Sequence, residues 1–456
     1  MTDNVDFKHK DYEDTLPDWE AVDDVCSGSR KFKLKAFDKR YLPKLNPTDP
    51  SEENKALNKG YLERAVLYPF VGYTLKALVG MAFSKQPVIE LQPQLDYLLE
   101  NADGEKVGLI QAMKATFREV AKAGRHLLWM DIETNGDGSQ ATNPRAFINR
   151  VSARAFINWR NDMYVIKETY QEQGEFSYEL KDQWRVLRLI DGVYHVQLYR
   201  KGSDGFNLVT DVVPTDYNGN VYNEIPAVCV GAQDNSLSVD EPPLLELARI
   251  SIAHFRDSAD WQHSCFWAGQ PQATMSGLTE TWYQMLKDEY GATIGVGGAS
   301  VLPLPEGGSF DYAQANPNTM PMESMAHHKE LIVQMGGRLI EKTTTNTKIE
   351  AADNAHAEHS VLSLMTDNVE SAYNTMLKFC SQAMGANQDS YIEMNKDFVS
   401  REMTPEEMRQ TVESWMKGAL PKSDMIAKFQ RFGEIDPDRS LEEVLDELET
   451  SSGIAL

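Results

Sequence analysis

The 456-residue sequence is poor in cysteine and has no long apolar run. Its four cysteines, Cys26, Cys229, Cys265 and Cys380, lie far apart without a CxxC pair, which excludes a disulfide framework and a zinc knuckle. No segment approaches the roughly eighteen apolar residues that a transmembrane helix needs. The stretch Met1–Asp6 is acidic without an apolar core, so we expect no secretory signal there. These absences predict a soluble chain from a reducing compartment, with no membrane partner.

Positive charge is also scarce, because 45 Lys and Arg stand against 69 Asp and Glu, a net charge of −24. Proteins that bind duplex DNA tightly usually carry a basic face, since neutralising the phosphates supplies much of the binding free energy. The composition therefore argues against a strong DNA binder. Two interpretations of the acidity stay open: solubility alone, or a surface along which a polyanion passes without sticking.

The common enzyme motifs are missing as well. The sequence has neither a GxxxxGK[ST] phosphate loop nor a GxSxG nucleophile turn. Gly295–Ser300 is similar to a dinucleotide loop, but it has Ser at the last glycine position and no βαβ context. Asp131–Gly136 is similar to the start of an EF-hand, but Thr142 stands where a bidentate Glu is needed.

Two histidine patterns near residue 356 could indicate zinc. His356-Ala357-Glu358 is similar to the deaminase triplet, but no PCxxC follows it. Asp353, His356 and His359 share one helical face, yet they lack the further ligand of a tetrahedral site. We predict no catalytic residues, no cofactor and no metal, and an enzyme with an unrecognised site remains an alternative.

The pattern of residues predicts an α+β chain. Prolines in residues 1–56 indicate an irregular arm with short elements, and a long apolar helix bent at Pro69 follows over about 58–84. A helix at 107–123 leads into a strand, His126–Ile132. The period-two texture of Ala146–Val230 predicts five or more antiparallel strands.

Long helices dominate the second half of the sequence. We predict helices from Pro242 to about 261–264, over 322–341 and over 349–384, and a small helical unit over 401–456 with capping boxes at Thr404 and Ser440. The insert 267–320 holds a predicted helix at 279–290 and strand-like pieces. These pieces are Ala292–Ile294, Ala299–Leu304 and Phe310–Tyr312.

The ordered set of parts resembles the portal proteins (head-to-tail connectors) of tailed bacteriophages over about 58–450. The stretches that carry the resemblance are Tyr68-Pro69-Phe70, Gly80–Pro87, Ala123–His126, Trp129–Asp131, Ile157–Arg160, His254–Trp261, Gly269–Pro271, Ile294-Gly295, Leu302–Gly308 and Met335–Ile340. No single stretch is diagnostic, and their order carries the likeness. The start of the third long helix, Lys348–Ala352, departs from the Thr-Ala step common in that family.

The resemblance implies a wing of helices and antiparallel β-structure, a long-helix stem, a small α/β clip and a helical crown. The implied regions are 1–240 (wing), 241–266 (first stem helix), 267–320 (clip), 321–341 (second stem helix), 342–348 (channel loop), 349–395 (long wing helix) and 396–456 (crown). In such proteins about twelve copies form a ring at one capsid vertex. The ring conducts double-stranded DNA and docks the terminase large subunit, a head-completion or tail adaptor protein and the major capsid protein. The resemblance thus implies a virion protein assembled in the host cytoplasm.

Candidate site residues follow from these regions. The channel loop would contact DNA phosphates through its lysines and make neutral contacts through its other polar side chains: Lys342, Thr343, Thr344, Thr345, Asn346, Thr347 and Lys348. An ordinary polar connection between two helices is the alternative. Trp267, Trp282 and Tyr283 are candidate docking residues of the clip, with buried structural aromatics as the alternative.

The stem helices carry an apolar stripe that we expect to pack on neighbouring subunits. Its candidate residues are Leu244, Leu247, Phe255, Met325, Ile332 and Leu339. Residues 241–320 contain three basic and nine acidic residues, a local charge of −6 that would keep DNA mobile. Another virion structural or adaptor protein is the second interpretation of the whole chain.

Overall fold

The computed structural model describes residues 4–133, 144–270, 272–290, 304–314, 318–339, 360–386, 389–396, 405–431, 435, 439–440 and 443–444. It divides into two units. The first comprises Met1–Gly80 with Val88–Glu393, and the second comprises Met81–Pro87 with Met394–Leu456. The fold is mixed α+β with antiparallel sheets.

The first eighty residues are more helical than the sequence suggests. They form α1 (Lys10–Cys26), α2 (Ser29–Lys35), α3 (Glu52–Arg64) and α4 (Phe70–Ala82). The expected irregular arm is therefore wrong for 10–35: α1 includes Pro17 and is anchored by buried Trp19, whose Nε1 donates to the Ala123 carbonyl at 2.8 Å.

The predicted single helix over 58–84 is also wrong, because extended backbone separates α3 from α4. Proline disfavours the helical conformation of the residue before it, here Tyr68. The Ser258 side chain compensates the interruption. Its Oγ accepts from the Val66 N–H at 2.7 Å and donates to the Val66 carbonyl at 2.9 Å.

The predicted antiparallel β-region is confirmed and forms two sheets. In the first, β2 (Arg125–Ile132) lies between β3 (Ala146–Ser152) and β9 (Ala227–Gly231). The second has the order β4 (Phe156–Arg160), β5 (Met163–Gln173), β6 (Tyr178–Ile190), β7 (Val193–Gly202) and β8 (Gly205–Val212). A short pair joins β1 (Val88–Glu90) to β12 (Tyr391–Glu393).

Helices α5 (Leu109–Ala123) and α9 (Val361–Met384) pack on the first sheet and form the centre of the core. Between α5 and β2, Gly124 has φ +66°, and a Cβ there would lie 2.5 Å from the Asp240 carbonyl oxygen. Only glycine fits that turn without strain. The residues of α9 that are fully buried are Leu362, Met365, Thr366, Val369, Ala372, Tyr373, Met376, Leu377 and Cys380. The predicted helix is thus present from Val361, and its predicted start at 349 lies outside the described residues.

The second unit contains α10 (Pro405–Met416) and α11 (Lys422–Arg431). The predicted capping box at Ser440 is confirmed: Ser440 N–H donates to Glu443 Oε2 at 3.1 Å, and Glu443 N–H donates to Ser440 Oγ at 3.2 Å. Thr404, the other predicted box, lies outside the described residues. Across the part of the chain that the structure describes, no helix is both long and apolar enough to cross a bilayer.

Candidate assembly site: a helix pair and its insert

Two long helices of the first unit, α6 (Leu245–Ala268) and α8 (Met320–Arg338), pack along each other. At one end Gln314 Nε2 donates to the Ala268 carbonyl and Asn318 N–H donates to Ser264 Oγ, both at 3.2 Å. Further along, Asp257 lies 3.4 Å from His328. The contacts move back along α6 as they move forward along α8, so the two helices run antiparallel. Both predicted helices are present, and α6 ends about a turn later than expected.

The insert between the helices contains β10 (Gln272–Ser276), α7 (Glu280–Tyr290) and β11 (Ser309–Ala313). The two strands pair antiparallel over five residues. The predicted helix at 279–290 is confirmed by α7, and the predicted strand Phe310–Tyr312 lies in β11. Sequence reasoning missed β10, whose mostly exposed residues lack an apolar alternation. Ala292–Ile294 and nearly all of Ala299–Leu304 lie outside the described residues.

The candidate docking aromatics lie on two helices. Trp267 belongs to the last turn of α6 and is 54% exposed, with its Nε1 donating to His263 Nε2 at 3.0 Å. Tyr283 on α7 is 53% exposed, whereas its neighbour Trp282 is half-buried. The first unit thus presents Trp267 and Tyr283 to solvent, as a docking surface requires.

The expected stem stripe divides into two sets. Leu244, Leu247 and Phe255 are buried inside the chain, and Phe255 packs edge-to-face on Phe32 at 5.0 Å between ring centroids. The expectation that they pack on a neighbouring subunit does not hold, because α1, α2 and α3 lie against this part of the chain and complete the core. On α8, Ile332 is buried, and Met325 and the following Leu339 are half-buried.

The apolar side chains that α8 exposes are ones that the sequence stripe did not single out. Met320, Met322 and Val333 are exposed. Methionine is an adaptable side chain at interfaces, whereas the stripe expected on this helix comprised Met325, Ile332 and Leu339. The residues of the predicted stripe thus lie on the side of α8 that is covered within the chain. The exposed side of α8 is the one that a partner could contact.

Both arginines of α6 make contacts with other parts of the chain. Arg249 pairs with Glu246 and with Asp18 of α1. Arg256 donates from Nε to the Tyr41 carbonyl at 2.9 Å and from an Nη to the Arg40 carbonyl at 3.1 Å. Both arginines are exposed but have partners within the chain, and residues 241–320 with these two cations counted still carry a net charge of −6.

A polar cluster lies between the helices where they pack. Burial lowers the pKa of His254, the nearby His328 lowers it further, and Asp257 partly opposes the shift. Tyr68 and Phe70 pack edge-on against the His254 ring at centroid distances of 5.0 and 5.5 Å. A neutral imidazole enclosed by aromatic rings serves packing. Within the described ranges, no group of three His, Cys, Asp or Glu side chains could hold a metal ion.

The predicted channel loop, residues 342–348, lies outside the described residues, as do the neighbouring residues 340–359. The described chain ends at Leu339 and resumes at Ser360. There the Leu362 N–H donates to the Leu339 carbonyl at 3.3 Å. The two ends of this interval therefore lie together at the start of α9.

Three comparisons relate the chain to known proteins. A family described as a domain of unknown function (DUF4055) matches residues 243–384, the stretch from just before α6 to the last residue of α9. No curated protein matches the chain.

Among solved structures, a chain in the virion of a native gene transfer agent particle is similar at a TM-score of 0.40 and 16% identity, over 84% of this chain and 94% of that one. A chain in the neck of an empty gene transfer agent particle, computed with C6 symmetry, gives 0.41 and 15%, over 80% and 90%. One in the neck of a native particle, computed with C12 symmetry, gives 0.37 and 13%, over 82% and 92%. At these TM-scores the likenesses carry no argument about this chain.

Proposed function

We propose that the chain is a portal protein, a structural component of a virion of the tailed-phage type. About twelve copies would form a ring at one capsid vertex, and the ring would conduct double-stranded DNA during packaging and ejection. The observation that carries the proposal is the antiparallel pair of α6 and α8, which together hold a small α/β insert at one end. In the resemblance drawn from the sequence, these elements are the stem and the clip.

The charge of the helix pair supports the same proposal. A channel for duplex DNA must not hold the phosphates, because each ionic contact adds salt-sensitive affinity. Residues 241–320 carry a net charge of −6, and both exposed arginines of α6 have partners within the same chain. Such a wall repels DNA weakly along its length.

The remaining regions of the proposal follow the sequence resemblance. Residues 1–240 and 349–395 would form the wing, 396–456 the crown, and 342–348 the channel loop. The insert would dock the terminase large subunit and an adaptor protein through exposed Trp267 and Tyr283. No catalytic step is assigned to the chain. Its partners would also include the major capsid protein.

The first test is the native mass of the purified chain, measured by light scattering or native mass spectrometry. A closed species of about twelve chains is the expected result. If the chain remains a monomer when the capsid protein is also supplied, the ring proposal is wrong.

The channel loop is tested by the Lys342→Ala/Lys348→Ala double variant. We expect ring mass to be unchanged and the DNA content per particle to fall, because the variant removes two phosphate contacts. Lys55→Ala/Lys59→Ala is the matched control, since both of these lysines lie exposed on α3. Equal DNA content in the two variants would remove the loop assignment.

A further inference from the structure

The strands β5 and β6 extend beyond their neighbours as a two-stranded ribbon. Pairing of β4 with β5 stops at Ile166, and pairing of β6 with β7 starts at Gln183. Thr169–Gln173 and Tyr178–Asp182 therefore pair only with each other, over a length of about 16 Å. Isolated two-stranded ribbons are marginally stable in water, so a partner that covers this one would stabilise it.

The turn at the end of the ribbon, residues 174–177, presents a large apolar side chain. Phe176 is 94% exposed, the highest exposure of any large hydrophobic side chain in the described residues, and Glu175 precedes it. Behind the turn Tyr178 and Leu180 are also exposed. We call Glu175 and Phe176 the ribbon tip. The Phe176 ring is thus almost wholly open to solvent.

A cleft of about 550 Å³ lies beside the base of the same ribbon. Its lining includes four lysines and three large aromatic rings: Lys8, Lys167, Lys181 and Lys201, with Tyr12, Tyr170 and Trp184. We call it the basic cleft. Asp6 and Asp182 also line it, so the lining carries a net positive charge in a chain whose net charge is −24.

Two of the cleft lysines are not neutralised within the chain. Lys167 pairs with Asp182, and Lys181 pairs with Glu172 and Glu179. Among the described residues, neither Lys8 nor Lys201 is within ion-pair distance of a carboxylate; their ammonium groups lie about 6 Å from the rings of Tyr12 and Phe206. The buried Trp184 adds an Nε1–H with no hydrogen-bond partner in the described structure. The cleft offers cations and aromatic surface.

We infer that the ribbon tip of one copy docks in the basic cleft of the next copy around the ring. The inference rests on the proposed function. The tip supplies a carboxylate and an aromatic ring, and the cleft supplies lysines and aromatic rings, so the charges are complementary and the rings can pack together. Because the two surfaces differ, the contact is heterologous, the type that closes a ring when the rotation allows it.

The direct test places one cysteine on each surface, in the variant Phe176→Cys/Lys201→Cys. Under mild oxidation, a non-reducing gel should show a ladder of covalently linked chains. Phe176→Cys/Lys59→Cys is the control with its second thiol on α3, and Phe176→Cys alone measures linkage between tips. A ladder specific to the first pair supports the inference. A ring without that ladder overturns this inference and leaves the ring proposal intact, whereas a wild-type chain that never assembles overturns both.

A charge exchange gives an independent readout. Glu175→Lys alone, or Lys8→Glu/Lys201→Glu alone, should raise the concentration at which half of the chains assemble by about tenfold or more, since like charges then face each other. The three substitutions together should restore most of that loss. Leu208→Ala, an exposed position on β8, is the control. If the triple variant assembles no better than Glu175→Lys or Lys8→Glu/Lys201→Glu, the tip does not dock in this cleft.

Discussion

Two regions of the first unit differ in how completely they bury their own apolar side chains. The body around α5, α9 and the first half of α6 has long buried runs, among them Leu247, Ile252 and Phe255 on α6. From Asp260 to Leu339, the described residues include only three buried hydrophobic side chains: Ala268, Leu286 and Ile332. The body buries its own apolar side chains, whereas this distal region, Asp260–Leu339, leaves most of its apolar side chains partly or fully exposed.

The largest difference in the free energy of unfolding is expected between substitutions of two phenylalanines of α6, one in the body and one in the distal region. Phe255→Ala removes a fully buried ring and should lower the free energy of unfolding by about 3–5 kcal/mol. Phe266→Ala removes a ring that is 39% exposed and should cost much less. Denaturant unfolding followed by circular dichroism measures both. Equal losses would show that the two halves of α6 are equally packed.

A buried histidine of the body should make its stability depend on pH. Burial, with Arg150 and Lys122 nearby, lowers the pKa of His126 from 6.5 to about 3. Below pH 6.5 the unfolded chain takes up a proton that the folded chain refuses, so acidification destabilises the fold by about 1.4 kcal/mol per pH unit through this group. His126→Leu should remove that component between about pH 6 and 4. An unchanged slope in unfolding experiments would contradict the burial of the imidazole.

Two serines of α6, one in the body and one in the distal region, should also differ in their contribution to stability, by less than the two phenylalanines. Ser258 is buried and makes both hydrogen bonds to Val66, so Ser258→Ala should cost about 1–3 kcal/mol. Ser264 accepts one bond from Asn318 at a half-buried position, and Ser264→Ala should cost less. Thermal unfolding compares the two variants, and a reversed order would weaken the distinction between the body and the distal region.

The smallest effect is expected at the surface of the body. Arg249 is 52% exposed and pairs with Glu246 and Asp18. Exposed ion pairs contribute about 0–1 kcal/mol, so Arg249→Ala should change the free energy of unfolding by no more than that. Denaturant unfolding in low and high salt measures it. A loss well above this range would mean that the pair joins α1 to α6 more strongly than its exposure indicates.

Local signals in the sequence predicted the elements whose apolar period is strong. The antiparallel region, α6, α7, α8 and the capping box at Ser440 are present where those signals indicated. The wrong predictions trace to contacts between residues far apart in the chain. Pro17 suggested a break, yet α1 tolerates it because Trp19, Val22 and Val25 are buried on one face. Pro69 suggested a bend, yet the chain leaves the helix there because Ser258 offers other hydrogen bonds to the backbone of Val66.

The order of helix, insert and helix in the candidate site was predictable from the sequence, but which of its side chains are exposed was not. A helical period identifies which side chains share a face, but it does not say whether that face is covered by the same chain or by another copy. The structure decides this for α6, where neighbouring helices cover Leu247 and Phe255. No sequence motif indicates the basic cleft, because Lys8, Lys167 and Lys201 come from separate elements.

Composition and periodicity are local properties, so the acidity of the chain, the antiparallel texture of 146–230 and the order of helix, insert and helix could be read from the sequence. The positions at which charged groups and aromatic rings meet depend on the tertiary structure. It pairs α6 with α8 in one antiparallel register and sets Arg256 against the backbone carbonyls of Arg40 and Tyr41. Burial depends on contacts between residues far apart in the chain, and no local pattern specifies them.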